Sequence, residues 1–70
     1  MERNDKYDYK PLEIKYLDRN GKLDKRALID GCNYESVKDM AIKESNGRKV
    51  EIWTRKTPYH NKTEECIWEN

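Results

Sequence analysis

The scarcity of aliphatic side chains is the feature that most limits what this chain can fold into. Its 70 residues include four Leu, five Ile, two Val and no Phe, which is a low supply for a globular domain. Five Tyr and two Trp add side chains that can bury large areas, and a net charge of +1 keeps self-repulsion weak. We therefore expect one small folded domain, with about 3–5 kcal/mol of stability from its own core. A homodimer, a bound partner or a disulfide would add to that.

The first ten residues, 1–10, form a polar segment of mixed charge that ends at Pro11. We expect an extended or frayed arm there, whose Tyr7 and Tyr9 can dock on the body, followed by a single small globular domain over 11–70. No apolar run has the length of a membrane span, and the polar start lacks the apolar segment of a signal peptide. The sequence thus predicts a cytoplasmic protein without membrane association.

An alternating pattern after Pro11 predicts the first strand. Leu12, Ile14 and Tyr16 alternate with charged residues, which is the period of a half-buried strand. Asn20-Gly21 then predicts a two-residue type I′ turn, because both residues tolerate positive φ. The segment therefore indicates a β-hairpin.

Register and burial agree in this hairpin. The turn places Ile14 opposite Ala27 and Leu12 opposite Ile29, so that the apolar side chains share one face. The competing interpretation is a short helix over Leu23–Ile29, with its apolar residues roughly on one side. We favour the hairpin over the helix.

The clearest helical pattern runs from Asn33 to Gly47. Asn33 can cap the N-terminus, and Asn46-Gly47 can end the helix in the left-handed region. The apolar side chains between them lie within about a third of the helix circumference. This stripe comprises Tyr34, Val37, Met40 and Ala41.

Two more strands follow the helix. Val50 and Ile52 alternate with larger or charged residues, and Thr63 to Trp68 resumes a strand-like composition, with Ile67 on one face and Cys66 and Trp68 on the other. The segment between these strands is rich in turn formers. The order β-β-α-β-β predicts an α+β domain in which one helix packs on an antiparallel sheet.

The sequence lacks the residues and spacings of known metal-binding and catalytic motifs. If Gly21 takes the sixth position of a calcium loop, Tyr16 and Ala27 occupy the first and twelfth, where carboxylates are required. His60 is the only histidine and has no ligand partners at zinc-site spacing. The glycines stand alone, without a phosphate-binding spacing. We expect no metal site, no cofactor and no enzymatic activity.

The two cysteines, Cys32 and Cys66, are expected to be free thiols on half-buried side chains, since disulfides are uncommon in the cytosol. The alternative is a disulfide between them, which would close a long loop and add about 4 kcal/mol.

Basic residues concentrate after the helix. Together with Trp53 and Tyr59 they suggest a nucleic-acid surface, in which cations neutralise phosphates and an aromatic ring stacks on a base. We favour the ordinary arrangement, in which these cations pair across strands with acidic residues near the end of the chain. The candidate phosphate contacts are Arg48, Lys49, Arg55, Lys56 and Lys62.

Trp53 is the main candidate for a functional residue. If Val50 and Ile52 face the helix, Trp53 lies on the opposite side of the sheet, where a Trp beside an Arg is typical of an interface anchor. We therefore expect a protein-binding module, acting as a small regulator or inhibitor of a macromolecular target. Small, highly charged accessory proteins of bacteriophages and mobile elements have a similar size and composition. The predicted contact residues are Trp53, Arg55, Tyr59 and Trp68.

Two alternatives remain at this point. One is a nucleic-acid-binding protein that uses the basic, aromatic hairpin 48–62. The other is a structural subunit of a larger assembly.

Overall fold

A four-stranded antiparallel sheet with one helix across it forms the body of the protein, as a computed structural model of residues 5–57 and 64–70 describes it. The predicted α+β class and the order β-β-α-β-β are confirmed. The strands lie side by side in the order β2-β1-β3-β4. The elements are a 3₁₀ helix at Asp5–Tyr7, β1 at Leu12–Leu17, β2 at Leu23–Ile29, α1 at Tyr34–Ser45, β3 at Val50–Thr54 and β4 at Cys66–Glu69.

The segment Leu23–Ile29 is a strand, so the hairpin prediction is confirmed and the competing helix is wrong. The predicted two-residue turn is also wrong. Gly21 has positive φ but Asn20 does not, and the Gly21 amide donates to the carbonyl of Asp18. This is a three-residue loop, a type I turn followed by a glycine bulge. The Asp18 carboxylate stabilises it by accepting from the amides of Asn20 and Lys22 at 2.8 and 2.9 Å.

The predicted register nevertheless holds, because a second irregularity compensates for the longer loop. Near the loop Leu17 pairs with Leu23, whereas Tyr16 pairs with Lys25, so Asp24 is an extra residue on β2. Beyond this bulge Ile14 lies opposite Ala27 and Leu12 opposite Ile29, as expected.

Helix α1 begins and ends where its capping residues predict. The Asn33 side chain accepts from the Ser36 amide at 2.8 Å, and Asn46 ends the helix in the left-handed region. Of the predicted apolar stripe, Tyr34, Val37 and Ala41 are buried, but Met40 is 39% exposed. The fourth buried position is instead Ser45, whose hydroxyl donates to the Ile42 carbonyl at 2.8 Å.

The start of the described chain is docked on the body rather than frayed. The Asp8 carboxylate accepts from the Tyr34 amide at 2.7 Å and thus adds a second cap to α1. Tyr7 packs on Tyr34 with ring centroids 5.8 Å apart, while Tyr9 remains exposed. Residues 5–10 therefore stabilise the N-terminus of the helix.

The core lies between α1 and one face of the sheet. Leu12, Ile14 and Tyr16 of β1 and Val50 and Ile52 of β3 are buried on this side, as the alternation predicts. None of the described helices lies on the opposite face. Within the described residues, no helix combines the length and apolar character needed to span a membrane.

Candidate interaction surface

The face of the sheet opposite α1 brings together side chains from all four strands, and we call it the open face. Cross-strand partners share a face, so the register defines two adjacent rows. The first row is Leu28, Glu13, Trp53 and Cys66, and the second is Arg26, Lys15, Glu51 and Glu69.

Trp53 lies near the centre of the open face, and neighbouring side chains hold its indole in place. Its Nε1 donates to Glu51 Oε1 at 2.9 Å, and the Lys15 ammonium lies 3.9 Å from the ring centroid, close enough for a cation–π interaction. The side chain is half-buried. Tyr7 packs on Tyr34 instead, and Tyr9 is 69% exposed, so neither of these two tyrosines covers the indole. The ring is presented in a fixed orientation.

Glu13, beside Trp53, is a buried carboxylate on an otherwise solvent-facing surface. Only 6% of the residue is exposed, because its neighbours in the row are Leu28 and Trp53. Arg26 Nη1 lies 3.6 Å from Glu13 Oε2, an ion pair without a hydrogen bond within the described residues. Leu28 itself is 60% exposed. The row thus combines an exposed apolar side chain, a buried charge and a half-buried indole.

Arg55 lies just beyond β3, where it joins three parts of the chain. Its guanidinium contacts the Asp30 carboxylate at 3.3 Å and the Leu12 carbonyl at 3.5 Å, and its side chain is only 17% exposed. Arg55 therefore links the residue after β2 to the start of β1, at the end of the sheet next to the first row. Tyr59, the other residue predicted beside Trp53, lies outside the described residues.

Trp68 lies on the other side of the sheet from Trp53, contrary to the expectation that both belong to one contact surface. A bulge between Ile52 and Trp53 shifts the pairing of β3 with β4, so Trp68 faces Ile52 while Cys66 faces Trp53. Trp68 packs against the core, and the Lys38 ammonium lies 5.8 Å from its ring centroid. The simple alternation predicted for this strand is wrong because of the bulge.

The candidate phosphate contacts do not form one patch. Arg48 and Lys49 precede β3 whereas Arg55 and Lys56 follow it, so the strand separates the two pairs. Lys49 Nζ contacts Glu69 at 3.4 Å, and Arg55 contacts Asp30. Lys62 lies outside the described residues. Lys49 and Arg55 are therefore each paired with a carboxylate.

At the β4 edge of the open face, Glu51, Cys66 and Glu69 bring their ligand atoms within 4.8 Å of one another. The carboxylates already have partners, since Glu51 accepts from Trp53 and Glu69 contacts Lys49. Although Cys66 is exposed, partial burial of its thiol raises the pKa; Glu51 and Glu69 raise it further, while a hydrogen bond with the Trp68 backbone and the charge of Lys49 lower it. The proton is therefore held on this sulfur more tightly than on an ordinary thiol.

Both cysteines are free thiols in the structure. Cys32 is half-buried against the core, as expected, but Cys66 is exposed. His60, the remaining metal-ligand candidate from the sequence, lies outside the described residues.

A shallow cavity of about 150 Å³ lies where the C-terminus of α1 meets the start of β2. Its walls are mostly polar, with Asp24, Lys25, Glu44 and Arg48 among them. Burial raises the pKa of the Tyr16 phenol in this wall, and Glu44 raises it further. The volume is below the range of about 300–1,000 Å³ that is typical of small-molecule sites.

The sequence did not identify three residues that share the open face with Trp53, namely Glu13, Lys15 and Leu28. The hairpin register already contained the pairing of Glu13 with Leu28. The pairing of β1 with β3 was not predictable from local patterns, because it joins strands separated by a strand and a helix. That pairing is what places Glu13 beside Trp53.

Comparisons with known proteins add no relative. No protein-family model matches the chain, and no curated protein or solved structure is significantly similar to it.

Proposed function

We propose that this chain is a non-enzymatic protein-binding module whose contact surface is the open face around Trp53. The observation that carries the proposal is the orientation of the indole by Lys15 and Glu51. Aromatic side chains held in place before binding lose little conformational freedom in a complex, and Trp is enriched among the residues that dominate binding energy. A module of this size acts on its target by occupying a surface, as small regulators and inhibitors do.

The neighbours of Trp53 support a protein partner. Leu28 supplies exposed apolar area in the same row. Exposed apolar and aromatic side chains beside polar and charged ones are usual in protein–protein interfaces.

The charges of the open face favour protein over nucleic acid. Among its described residues, Arg26 and Lys15 are basic, whereas Glu13, Glu51 and Glu69 are acidic. A phosphate backbone requires an excess of cations, and here the acidic side chains are in excess. We therefore favour the protein-binding function over the hairpin 48–62 as a nucleic-acid surface.

A capture experiment with matched variants tests the proposal. Tagged wild type and Trp53→Ala are compared with Ile42→Ala, which removes an exposed apolar side chain from α1 on the other side of the molecule. We expect the wild type and Ile42→Ala to retain the same partner and Trp53→Ala to lose it, with a loss of about 2 kcal/mol or more in binding. Circular dichroism of each variant checks that it is folded.

Salt dependence separates the two kinds of partner. Binding through an aromatic anchor should change little with ionic strength, whereas binding through several phosphates falls by orders of magnitude over a modest increase in salt. A partner that remains bound to folded Trp53→Ala, or a complex that dissociates when the salt concentration is raised moderately, would refute the proposal.

A further inference from the structure

The two edges of the sheet differ in how well they are protected. β4 is four residues long and carries a bulge in its pairing with β3, and both features discourage further strand pairing. β2 is seven residues long, contains no proline and has its bulge only at one end. From Lys25 to Ile29 it is a regular strand, and none of the other described strands pairs with its outer edge.

The hydrogen bonds of β1 show which backbone groups of β2 point outward. Leu17 N donates to the Lys49 carbonyl, and the Pro11 carbonyl accepts from Arg55 N, so the odd-numbered residues of β1 bond toward β3. The even-numbered residues, including Leu12 and Ile14, therefore bond toward β2, as antiparallel alternation requires.

Ile29 and Ala27 are the partners of those even-numbered residues, so their backbone groups are used within the hairpin. The N–H and C=O groups of Arg26 and Leu28 consequently face the free edge, and Asp30 continues the alternation. The side chains of these residues are also exposed.

We propose that two copies of the chain pair through this edge, with β2 antiparallel to β2 around a two-fold axis at Leu28. The sequence Arg26-Ala27-Leu28-Ile29-Asp30 is complementary to itself in this register. Leu28 meets Leu28 of the second copy, Arg26 meets its Asp30, and Ala27 meets its Ile29. The outward backbone groups of each chain become the hydrogen-bonding partners of the other.

The charges extend ion pairs that already exist in each copy. Arg26 contacts Glu13, and Asp30 contacts Arg55. In the dimer Arg26 also lies beside Asp30 of the second copy, which gives an alternating row from Glu13 of one chain to Arg55 of the other. Opposite charges directly across strands are stabilising, and both side chains remain more than half exposed in the single chain.

Two neighbouring registers of the β2–β2 pair would place like charges opposite each other. An axis at Arg26 would set two guanidinium groups directly opposite each other. An axis at Ala27 would set Asp24 opposite Asp30 on both sides of the axis. Like charges in directly opposite positions destabilise a strand pair, so the axis at Leu28 is selected among these.

The dimer has a defined consequence for the open face. Because opposite residues of antiparallel strands share a face, the two-fold axis is perpendicular to the sheet. Both open faces then lie on the same side of one continuous sheet, and the two copies of Trp53 face the same direction.

Charge-exchange variants test the register. Arg26→Asp alone would set Asp against Asp30 of its twin, and Asp30→Arg alone would set Arg against Arg26, so each variant should self-associate about tenfold or more weakly than wild type. Mixed together, the two variants restore opposite charges at both positions. Analytical ultracentrifugation should show a heterodimer in the mixture and monomers in each variant alone.

Two outcomes would overturn the proposal. One is a wild type that remains monomeric at NMR concentrations, and the other is a dimer that both variants form as well as wild type does. If a variant fails to fold, hydrogen exchange on wild type decides the matter. Amide exchange at Arg26, Leu28 and Asp30 should slow as concentration rises, while exchange at Ala27 and Ile29 stays constant. Exchange independent of concentration at all of them contradicts the dimer.

Discussion

The two faces of the sheet use the same strands in different ways. On the helix side, Leu12, Ile14 and Ile52 are fully buried in the apolar core. On the open face, Glu13 forms an ion pair with Arg26. Trp53 is held there by a cation–π contact with Lys15 and a hydrogen bond to Glu51. Because the buried apolar side chains lie there, the helix side provides most of the stability of this small domain. The open face can therefore carry charged and aromatic groups suited to recognition.

Adjacent residues of β3 test this division with the largest expected effect. Ile52→Ala should cost about 2–5 kcal/mol, which approaches the whole stability of a domain with so small a core. Trp53→Ala loses the Lys15 contact, about 0.5–1 kcal/mol, and a hydrogen bond of about 1 kcal/mol. Urea denaturation followed by circular dichroism should show Ile52→Ala largely unfolded and Trp53→Ala folded. A greater loss from Trp53→Ala would place the indole in the core and refute the division.

Sequence patterns captured the helix side well, because burial there follows simple periods. The stripe of α1 and the alternation in β1 and β3 identified nearly all of the core. The hairpin register was predicted correctly although its turn was not, because the longer loop and the bulge at Asp24 offset each other. Within the loop, Gly21 has positive φ and Asn20 does not. The type I turn is stabilised by the Asp18 carboxylate.

The open face was less predictable because it depends on pairings between distant strands. The bulge that turns Trp68 toward the core arises where β4 pairs with β3, and no local pattern marks it. The burial of Glu13 requires β2 and β3 on both sides of β1. The Asp8 cap of α1 likewise joins residues 26 positions apart.

The Asp8 cap offers a second, smaller test on the helix side. Asp8→Ala removes the acceptor for the Tyr34 amide and loosens the arm that packs Tyr7 on Tyr34. We expect a loss of about 1 kcal/mol in the free energy of unfolding, within the range for helix caps. Asp8→Asn keeps an acceptor oxygen and serves as the control in thermal denaturation. Equal losses in both variants would mean that charge, rather than the hydrogen bond, matters at this position.

On the open face, the Glu13–Arg26 pair gives an effect of similar or smaller size. Arg26→Ala leaves the buried Glu13 carboxylate without its cation and should cost about 1 kcal/mol, since Arg26 itself is mostly exposed. Adding Glu13→Gln removes the uncompensated charge, so the double variant should be more stable than Arg26→Ala alone. Urea denaturation at low protein concentration measures both. Additive losses would show that the two side chains do not interact.

The smallest effect concerns proton binding at the rim of the open face. Burial raises the pKa of the Cys66 thiol, Glu51 and Glu69 raise it further, and Lys49 opposes them. Because the thiolate is the reactive form, alkylation of Cys66 should be slower at neutral pH than that of an ordinary thiol. Its rate should rise as pH increases through the raised pKa. Since the folded chain holds this proton more tightly, stability should fall slightly over the same pH range.

Paired variants give this last prediction its sign. Glu69→Gln removes a negative charge near Cys66, so it should lower the pKa of the thiol and speed alkylation. Lys49→Gln removes the opposing positive charge and should slow it. Peptide mass spectrometry follows Cys66 separately from Cys32, so the native cysteines can both remain. Rates that change in the same direction in the two variants would show that exposure, rather than charge, controls the reactivity of Cys66. Packing, rather than charge, would then control the reactivity of Cys66 at the edge of the open face, just as packing controls stability on the helix side.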